Sequence, residues 1–130
     1  MRLLIAGGGT GGHLFPALAV ARAFKSEHPD GKVLFVGVKQ GIEARIVPQT
    51  EFPIKFIQAR GILGKGLFNK VRALGAIPRG LYQSVVILKD FRPDLVLGVG
   101  GYASGPTLAA ANMLGIHTAI QEQNSVMGLT

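Results

Sequence analysis

Thr10 and His13 are the first residues of the chain with chemically useful side chains, and they stand within the cluster Gly7-Gly8-Gly9-Thr10-Gly11-Gly12-His13. A threonine hydroxyl can donate to a phosphate or sugar oxygen, and a histidine can act as a base or a donor near neutral pH. The alternative is that Thr10 only caps a helix and that His13 is a solvated residue of its first turn. The flanking glycines favour the chemical role, because they leave room for a ligand.

The residues around this cluster predict the elements that must position it. An apolar run from Leu3 to Ala6 precedes the glycines, and a long helical pattern begins near Phe15, with Pro16 in an early turn. This order is typical of a strand, a tight turn and a helix. The first N–H groups of such a helix lie at the positive end of its dipole. The sequence therefore predicts an anion-binding loop at the carboxyl end of the first strand.

The spacing Gly7-x-Gly9-x-x-Gly12 also satisfies the dinucleotide-binding pattern. That pattern needs an acid near the end of the second strand, but the run from Val33 to Val36 is followed by Gly37-Val38-Lys39, with no carboxylate before Glu43. This argues against NAD, whereas Lys39 would suit the 2′-phosphate of NADP. A P-loop is excluded, because no Gly-Lys-Ser/Thr follows the glycines.

Composition limits the class of protein. The chain has 130 residues, no cysteine and only three histidines, which lack metal-binding spacing. We therefore expect one domain without disulfides or a tightly bound metal. The N-terminus has no signal-peptide pattern, and no apolar run approaches the ~18 residues that span a bilayer, so we expect a cytoplasmic protein.

The positive charge of the chain is concentrated in its middle. The net charge is +7, and no acidic residue occurs between Phe52 and Lys89. Such a stretch could contact nucleic acid, an anionic membrane or an anionic ligand. Nucleic acid is disfavoured, because the interleaved residues are mostly aliphatic and no aromatic stacking platform accompanies them.

A glycine-punctuated loop at residues 60–66 and the helical stretch after it carry the basic and apolar side chains together. Pro78 should kink or split that helix, with a turn around residues 75–79. Apolar and basic side chains together on a tip indicate a contact with a partner, unless the apolar residues face the core and the charges are merely solvated. If that partner is an anionic membrane, the docking residues would be Ile62, Leu63, Lys65, Leu67, Phe68, Lys70, Arg72 and Arg79.

A second glycine-rich turn follows a buried strand predicted from Asp94 to Gly100. It reads Gly100-Gly101-Tyr102-Ala103-Ser104-Gly105-Pro106 and leads into an Ala-rich helix and a fifth strand from His117 to Gln121. The alternation predicts a Rossmann-like three-layer α/β/α fold with a mainly parallel sheet. Strands one and four should be neighbours, so that the two loops face one crevice and suit a diphosphate.

Four stretches together resemble the MurG family of bacterial peptidoglycan glycosyltransferases, in glycosyltransferase family 28. They are residues 8–19, 61–66 and 100–106, and residues 122–124 with 128–130. The resemblance implies an inverting, cofactor-free transfer of N-acetylglucosamine from UDP-N-acetylglucosamine to a lipid-linked muramyl-pentapeptide. It also implies a GT-B fold of two Rossmann-like halves and a peripheral location at the cytoplasmic face of the bacterial plasma membrane.

On this resemblance, residues 1–130 are the acceptor-side N-terminal domain, and the nucleotide-sugar domain with its uridine pocket lies outside the chain. The isolated half is then expected to be inactive. Thr10, Gly11 and Gly12 match the loop that reaches the donor sugar nucleotide, and Asn124 matches a donor-sugar contact on the same rim.

The resemblance also assigns acceptor-side and cleft residues. His13 matches a histidine that serves as a base or an orienting group for the acceptor hydroxyl, and Glu122 is a second candidate catalytic residue. Tyr102 and Ser104 match further substrate-binding positions of the cleft.

Two other functions remain open from the sequence. An NADP-dependent oxidoreductase domain would share the fold but would need a nicotinamide pocket. Another GT-B enzyme, such as a nucleotide-sugar epimerase, should lack the exposed basic and aliphatic tip.

Overall fold

The chain is described by a computed structural model over residues 1–59 and 67–121, with the backbone alone for 67–77. In these ranges the elements are β1 Arg2–Ala6, α1 Gly11–Glu27, β2 Lys32–Gly37, α2 Glu43–Ile46, β3 Ile54–Phe56, α3 Leu67–Phe91, β4 Leu95–Gly98, α4 Ser104–Met113 and β5 His117–Ile120. A 3₁₀ turn extends α2 over Val47–Gln49.

The strands form one parallel sheet in the order β3-β2-β1-β4-β5. β1 is central, and its last residue, Ala6, pairs with Val36 of β2 on one side and with Gly98 of β4 on the other. The strand order reverses between β1 and β4, which is where open α/β sheets bind ligands. The prediction that strands one and four are neighbours is confirmed.

Alternate residues of β1 face opposite layers of helices. Leu4 packs in a core cluster with Leu88 of α3 and Ala110 of α4. Ile5 belongs to a second cluster with Leu14 of α1. Since both faces of the sheet are covered, its strands are nearly continuous in apolar residues, as parallel sheets require. The three-layer α/β/α prediction is therefore confirmed.

α1 begins four residues earlier than the predicted start near Phe15. Thr10 is extended, with φ −130° and ψ 164°, and its carbonyl oxygen accepts the N–H groups of His13 and Leu14. The helix thus starts at Gly11, and Pro16 lies in its second turn. Glycine has a low helix propensity, so the residues of this first turn do not signal a helix in the sequence.

Pro78 does not split α3, and the predicted turn at residues 75–79 is wrong, because one helix runs from Leu67 to Phe91. A proline removes one backbone hydrogen bond, which a helix of 25 residues packed against α4 can tolerate. Pro48 lies inside the 3₁₀ turn that follows α2. The fourth strand ends at Gly98, since Gly100 has a φ of +96° and leaves the sheet.

No helix in the described ranges is both long and apolar enough to cross a membrane.

Candidate functional site

Two loops leave the carboxyl ends of the central strands and meet. Loop 1, residues 7–10, follows β1, and loop 2, residues 99–103, follows β4. The backbone N–H of Gly8 donates to the carbonyl oxygen of Gly100 at 3.0 Å. Gly101 has a φ of +91°, and a Cβ there would collide with the Gly8 carbonyl, so this position requires glycine. The predicted facing of the two loops is confirmed.

The backbone N–H groups of the loop 1 glycines are already used within the protein. Gly7 donates to the carbonyl oxygen of Val36 at 3.0 Å, and Gly9 donates to Oε1 of Glu43 at 2.6 Å. The first N–H groups of α1 have no partner inside the helix, because of helix geometry. An anion at this loop would therefore be held by the N–H groups of Gly11 and Gly12, at the positive end of the helix dipole.

His13 is half-buried between the two loops. Its Nδ1 lies 3.1 Å from the carbonyl oxygen of Gly8 and 3.3 Å from Oγ1 of Thr10. A carbonyl oxygen only accepts, so Nδ1 carries the proton of the neutral ring and Nε2 keeps its lone pair. A Cβ at Gly100 would lie 2.9 Å from Nε2, so glycine makes room for the ring. The geometry gives His13 the tautomer in which Nε2 can accept a proton.

Thr10 is the N-cap residue of α1 by position, yet its side chain makes no capping hydrogen bond within the described part of the chain. Its hydroxyl instead approaches His13, so the view that Thr10 only caps the helix loses support. Thr10 is exposed and opens onto a groove of about 550 Å³. The groove is lined by Gly9, Thr10, Lys39, Gln40, Gly41, Ile42, Ala44 and Arg45. Lys39 and Arg45 make this groove attractive to an anion.

Tyr102 of loop 2 and Ser104, which follows the loop, differ in their exposure to solvent. Tyr102 is 55% exposed, so much of its side chain is accessible to solvent. Ser104 is the first residue of α4 and is buried, with its hydroxyl against the backbone of Gly98. This packing explains why Gly98 carries no side chain. The assignment of both residues to substrate binding stays a prediction.

Several predicted residues lie outside the described structure. Glu122 and Asn124 are among them, as are the side chains of the docking tip from Ile62 to Arg72. Arg79 is described and is exposed, and its Nη1 donates to Oε1 of Gln58 at 3.2 Å. It lines a cavity of about 450 Å³ together with Lys39.

Glu43 is the residue of this site that the sequence reasoning missed. In the sequence it counts only as an acid too far from the second strand to hold a ribose. In the fold it is buried, and both of its carboxylate oxygens accept backbone N–H groups at the base of loop 1. The signal available in the sequence is a carboxylate flanked by Gly37 and Gly41, next to a strand that neighbours the glycine loop.

Comparison with known proteins identifies the family. The sequence profile of the glycosyltransferase family 28 N-terminal domain matches residues 3–130. A protein of Anaeromyxobacter sp. (strain Fw109-5) is 52% identical over the whole chain, and one of Citrifermentans bemidjiense is 54% identical over the whole chain. Both are named UDP-N-acetylglucosamine--N-acetylmuramyl-(pentapeptide) pyrophosphoryl-undecaprenol N-acetylglucosamine transferase. The chain spans 34% and 36% of their lengths, about a third of each.

Solved structures agree with this grouping. The crystal structure of Acinetobacter baumannii MurG matches 95% of the chain, and 36% of its own chain is covered, with a TM-score of 0.81 and 35% identity. A UDP-GlcNAc 2-epimerase from Methanocaldococcus jannaschii matches 92% of the chain and 31% of its own, with a TM-score of 0.60 and 18% identity. The second likeness shows a shared fold alone.

Proposed function

Because this chain belongs to glycosyltransferase family 28, we propose that it is the acceptor-side N-terminal domain of an inverting hexosyltransferase. The complete enzyme would transfer N-acetylglucosamine from UDP-N-acetylglucosamine to undecaprenyl-pyrophosphoryl-N-acetylmuramyl-pentapeptide, a step of peptidoglycan synthesis. The names of the relatives that match the whole chain support this activity. The nucleotide-sugar domain would lie beyond the chain, and the isolated half would be inactive.

The observation that carries the proposal is that His13, whose Nε2 keeps its lone pair, stands at the N-terminus of α1. Nε2 of His13 would take the proton of the acceptor hydroxyl, whose oxygen attacks the anomeric carbon of the donor sugar from the face opposite the diphosphate. The bond from that carbon to the diphosphate oxygen then breaks, and UDP leaves. The N–H groups of Gly11 and Gly12 would stabilise the charge of the leaving group without a metal ion.

The remaining site residues have supporting roles in this proposal. Thr10 would hold a sugar or phosphate oxygen beside His13, because its exposed hydroxyl opens onto the cationic groove. Tyr102 would contact substrate across the cleft, and Ser104 and Asn124 would complete the binding rim. Glu122 would be a second group for proton transfer.

The location follows from the acceptor. A lipid-linked sugar stays in the bilayer, so the domain that binds it must dock at the cytoplasmic face. The tip that begins with Ile62 and ends at Arg79 combines apolar and basic side chains, which suits an anionic surface. No nucleic acid is expected as a partner. The NADP alternative rests on the glycine spacing of loop 1 and on Lys39, whereas the family supports a transferase.

A transfer assay tests the proposal directly. The complete protein that contains this chain is incubated with radiolabelled UDP-N-acetylglucosamine and the lipid-linked acceptor, with and without EDTA. We expect a labelled lipid product under both conditions and none from the chain alone. Absence of the lipid product, together with a fluorescence response to NADPH, would point to the oxidoreductase function instead.

A further inference from the structure

Glu43 is a buried acid that the proposed reaction does not use. It is 1% exposed, and it begins α2, whose Ile46 packs against the core cluster that contains Phe35 of β2. Oε1 accepts the N–H of Gly9 at 2.6 Å, and Oε2 accepts the N–H of Val38 at 2.9 Å. The two donors belong to different segments, because Gly9 lies in loop 1 and Val38 directly follows β2. The carboxylate therefore ties the glycine loop to the neighbouring strand.

Three glycines from separate segments make the space for this carboxylate. A Cβ on Gly8 would lie 2.6 Å from Oε1, and a Cβ on Gly37 or Gly41 would collide with the Glu43 side chain. Gly8 belongs to loop 1, Gly37 ends β2 and Gly41 precedes α2. The φ of Gly41 lies outside the left-handed region, so the contact with Glu43 is what requires glycine there.

A short chain of hydrogen bonds leads from Glu43 to the base. Glu43 holds the N–H of Gly9, and the preceding residue, Gly8, offers its carbonyl oxygen to Nδ1 of His13 at 3.1 Å. Neighbouring residues of a loop move together. The position of the Gly8 carbonyl, and with it the proton on Nδ1, therefore depends on the bond between Glu43 and Gly9.

We propose that Glu43 is a positioning residue that fixes loop 1 and thereby holds His13 in the tautomer that leaves Nε2 free. It touches neither substrate nor the reacting atoms. The tautomer of His13 is a property of the chain itself and does not depend on the proposed function, whereas an effect on turnover does.

The experiment is nitrogen NMR of the chain labelled with ¹⁵N-histidine. The chain has three histidines, and substitution of His28 and His117 assigns their signals. We expect the parent to carry its His13 proton on Nδ1. In Glu43→Gln, a side-chain NH₂ replaces one acceptor and faces a backbone N–H, so one of the two bonds is lost. The His13 signals should then shift to a mixture of both tautomers.

Ser84→Ala is the matched control for a merely structural effect. Ser84 is also buried and donates to the carbonyl oxygen of Gly80 at 2.8 Å, within α3 on the opposite face of the sheet from α1. The Ser84→Ala substitution should lower the free energy of unfolding and leave the His13 signals unchanged. A folded Glu43→Gln variant with the parental tautomer, or an equal shift in both variants, would overturn the proposal.

Gly41→Ala covers the case in which Glu43→Gln does not fold. It keeps the acid but pushes a methyl group into the carboxylate, so it should shift the tautomer in the same direction. If it folds with the parental tautomer, the proposal is wrong. In the complete enzyme, Glu43→Gln should lower kcat by about 10- to 100-fold, as expected for a slightly misplaced catalytic group. An inactive parent with the expected tautomers would refute the proposed function alone.

Discussion

Gly8 donates its backbone N–H to the carbonyl oxygen of Gly100, and through this bond the loops after β1 and β4 form one continuous surface. The two residues are 92 positions apart in the sequence and meet because β1 and β4 pair in parallel. The N-termini of α1 and α4 consequently open onto the same edge of the sheet. Substitutions that break this contact should therefore disturb the cleft between the two loops.

Gly101→Ala should break the contact between the loops. Its φ of +91° strains any residue with a Cβ, and the added methyl would collide with the Gly8 carbonyl. We expect the free energy of unfolding in urea to fall by at least about 1–3 kcal/mol. Gly105→Ala is the control, because nothing lies within 4 Å of a Cβ there, and it should be neutral or slightly stabilising. Equal effects of the two substitutions would contradict the close approach.

His13→Ala should reduce turnover of the complete enzyme by about 10²–10⁴-fold, as expected when a general base is lost. Its stability should change little, because the ring is only half-buried and its hydrogen bonds lie at the edge of the cleft. Steady-state kinetics with saturating substrates measure the effect. His117→Ala, which removes an exposed histidine on β5, should retain parental kcat. A kcat of His13→Ala within a few-fold of the parental value would exclude His13 as the general base.

Gly11→Val should weaken donor binding without unfolding the domain. The added side chain would crowd Phe15, which is 54% exposed and free to move, but it would block access to the first N–H groups of α1. Loss of a charge-assisted hydrogen bond of about 1.5–3 kcal/mol corresponds to about 10- to 100-fold in affinity. Calorimetric titration of the complete enzyme with UDP-N-acetylglucosamine measures this loss. Ala19→Val introduces the same side chain at an exposed position of α1 and should bind normally.

Membrane docking should depend on where the positive charge lies and not only on its amount. The parent should sediment with anionic vesicles at low salt and detach at high salt, since each basic residue near such a surface contributes about 1 kcal/mol. Replacing Lys65, Lys70 and Arg72 by Glu should abolish sedimentation. A variant with Arg22, Lys32 and Lys89 changed to Glu has the same net charge and should still bind. Equal sedimentation of the two variants with the vesicles, at unchanged circular dichroism, would refute the assignment of the tip as the docking surface.

The order of elements, the class of fold and the location of both glycine loops are predictable from local sequence patterns. Apolar runs that end at glycines and continue with helical periodicity are local patterns, and residues 3–12 and 95–106 carry them without reference to the rest of the chain. The neighbouring positions of β1 and β4 also followed, because short connections between parallel strands leave few topologies.

The place of Glu43, and its link to the loop that orients His13, depend by contrast on tertiary contacts. Glu43 reaches Gly9 across 34 positions, and its second donor, Val38, directly follows the neighbouring strand β2. A carboxylate is buried only where donors converge on it, and that convergence is produced by the pairing of β1 with β2. No local pattern of residues encodes it, because the contact exists only once the sheet has formed.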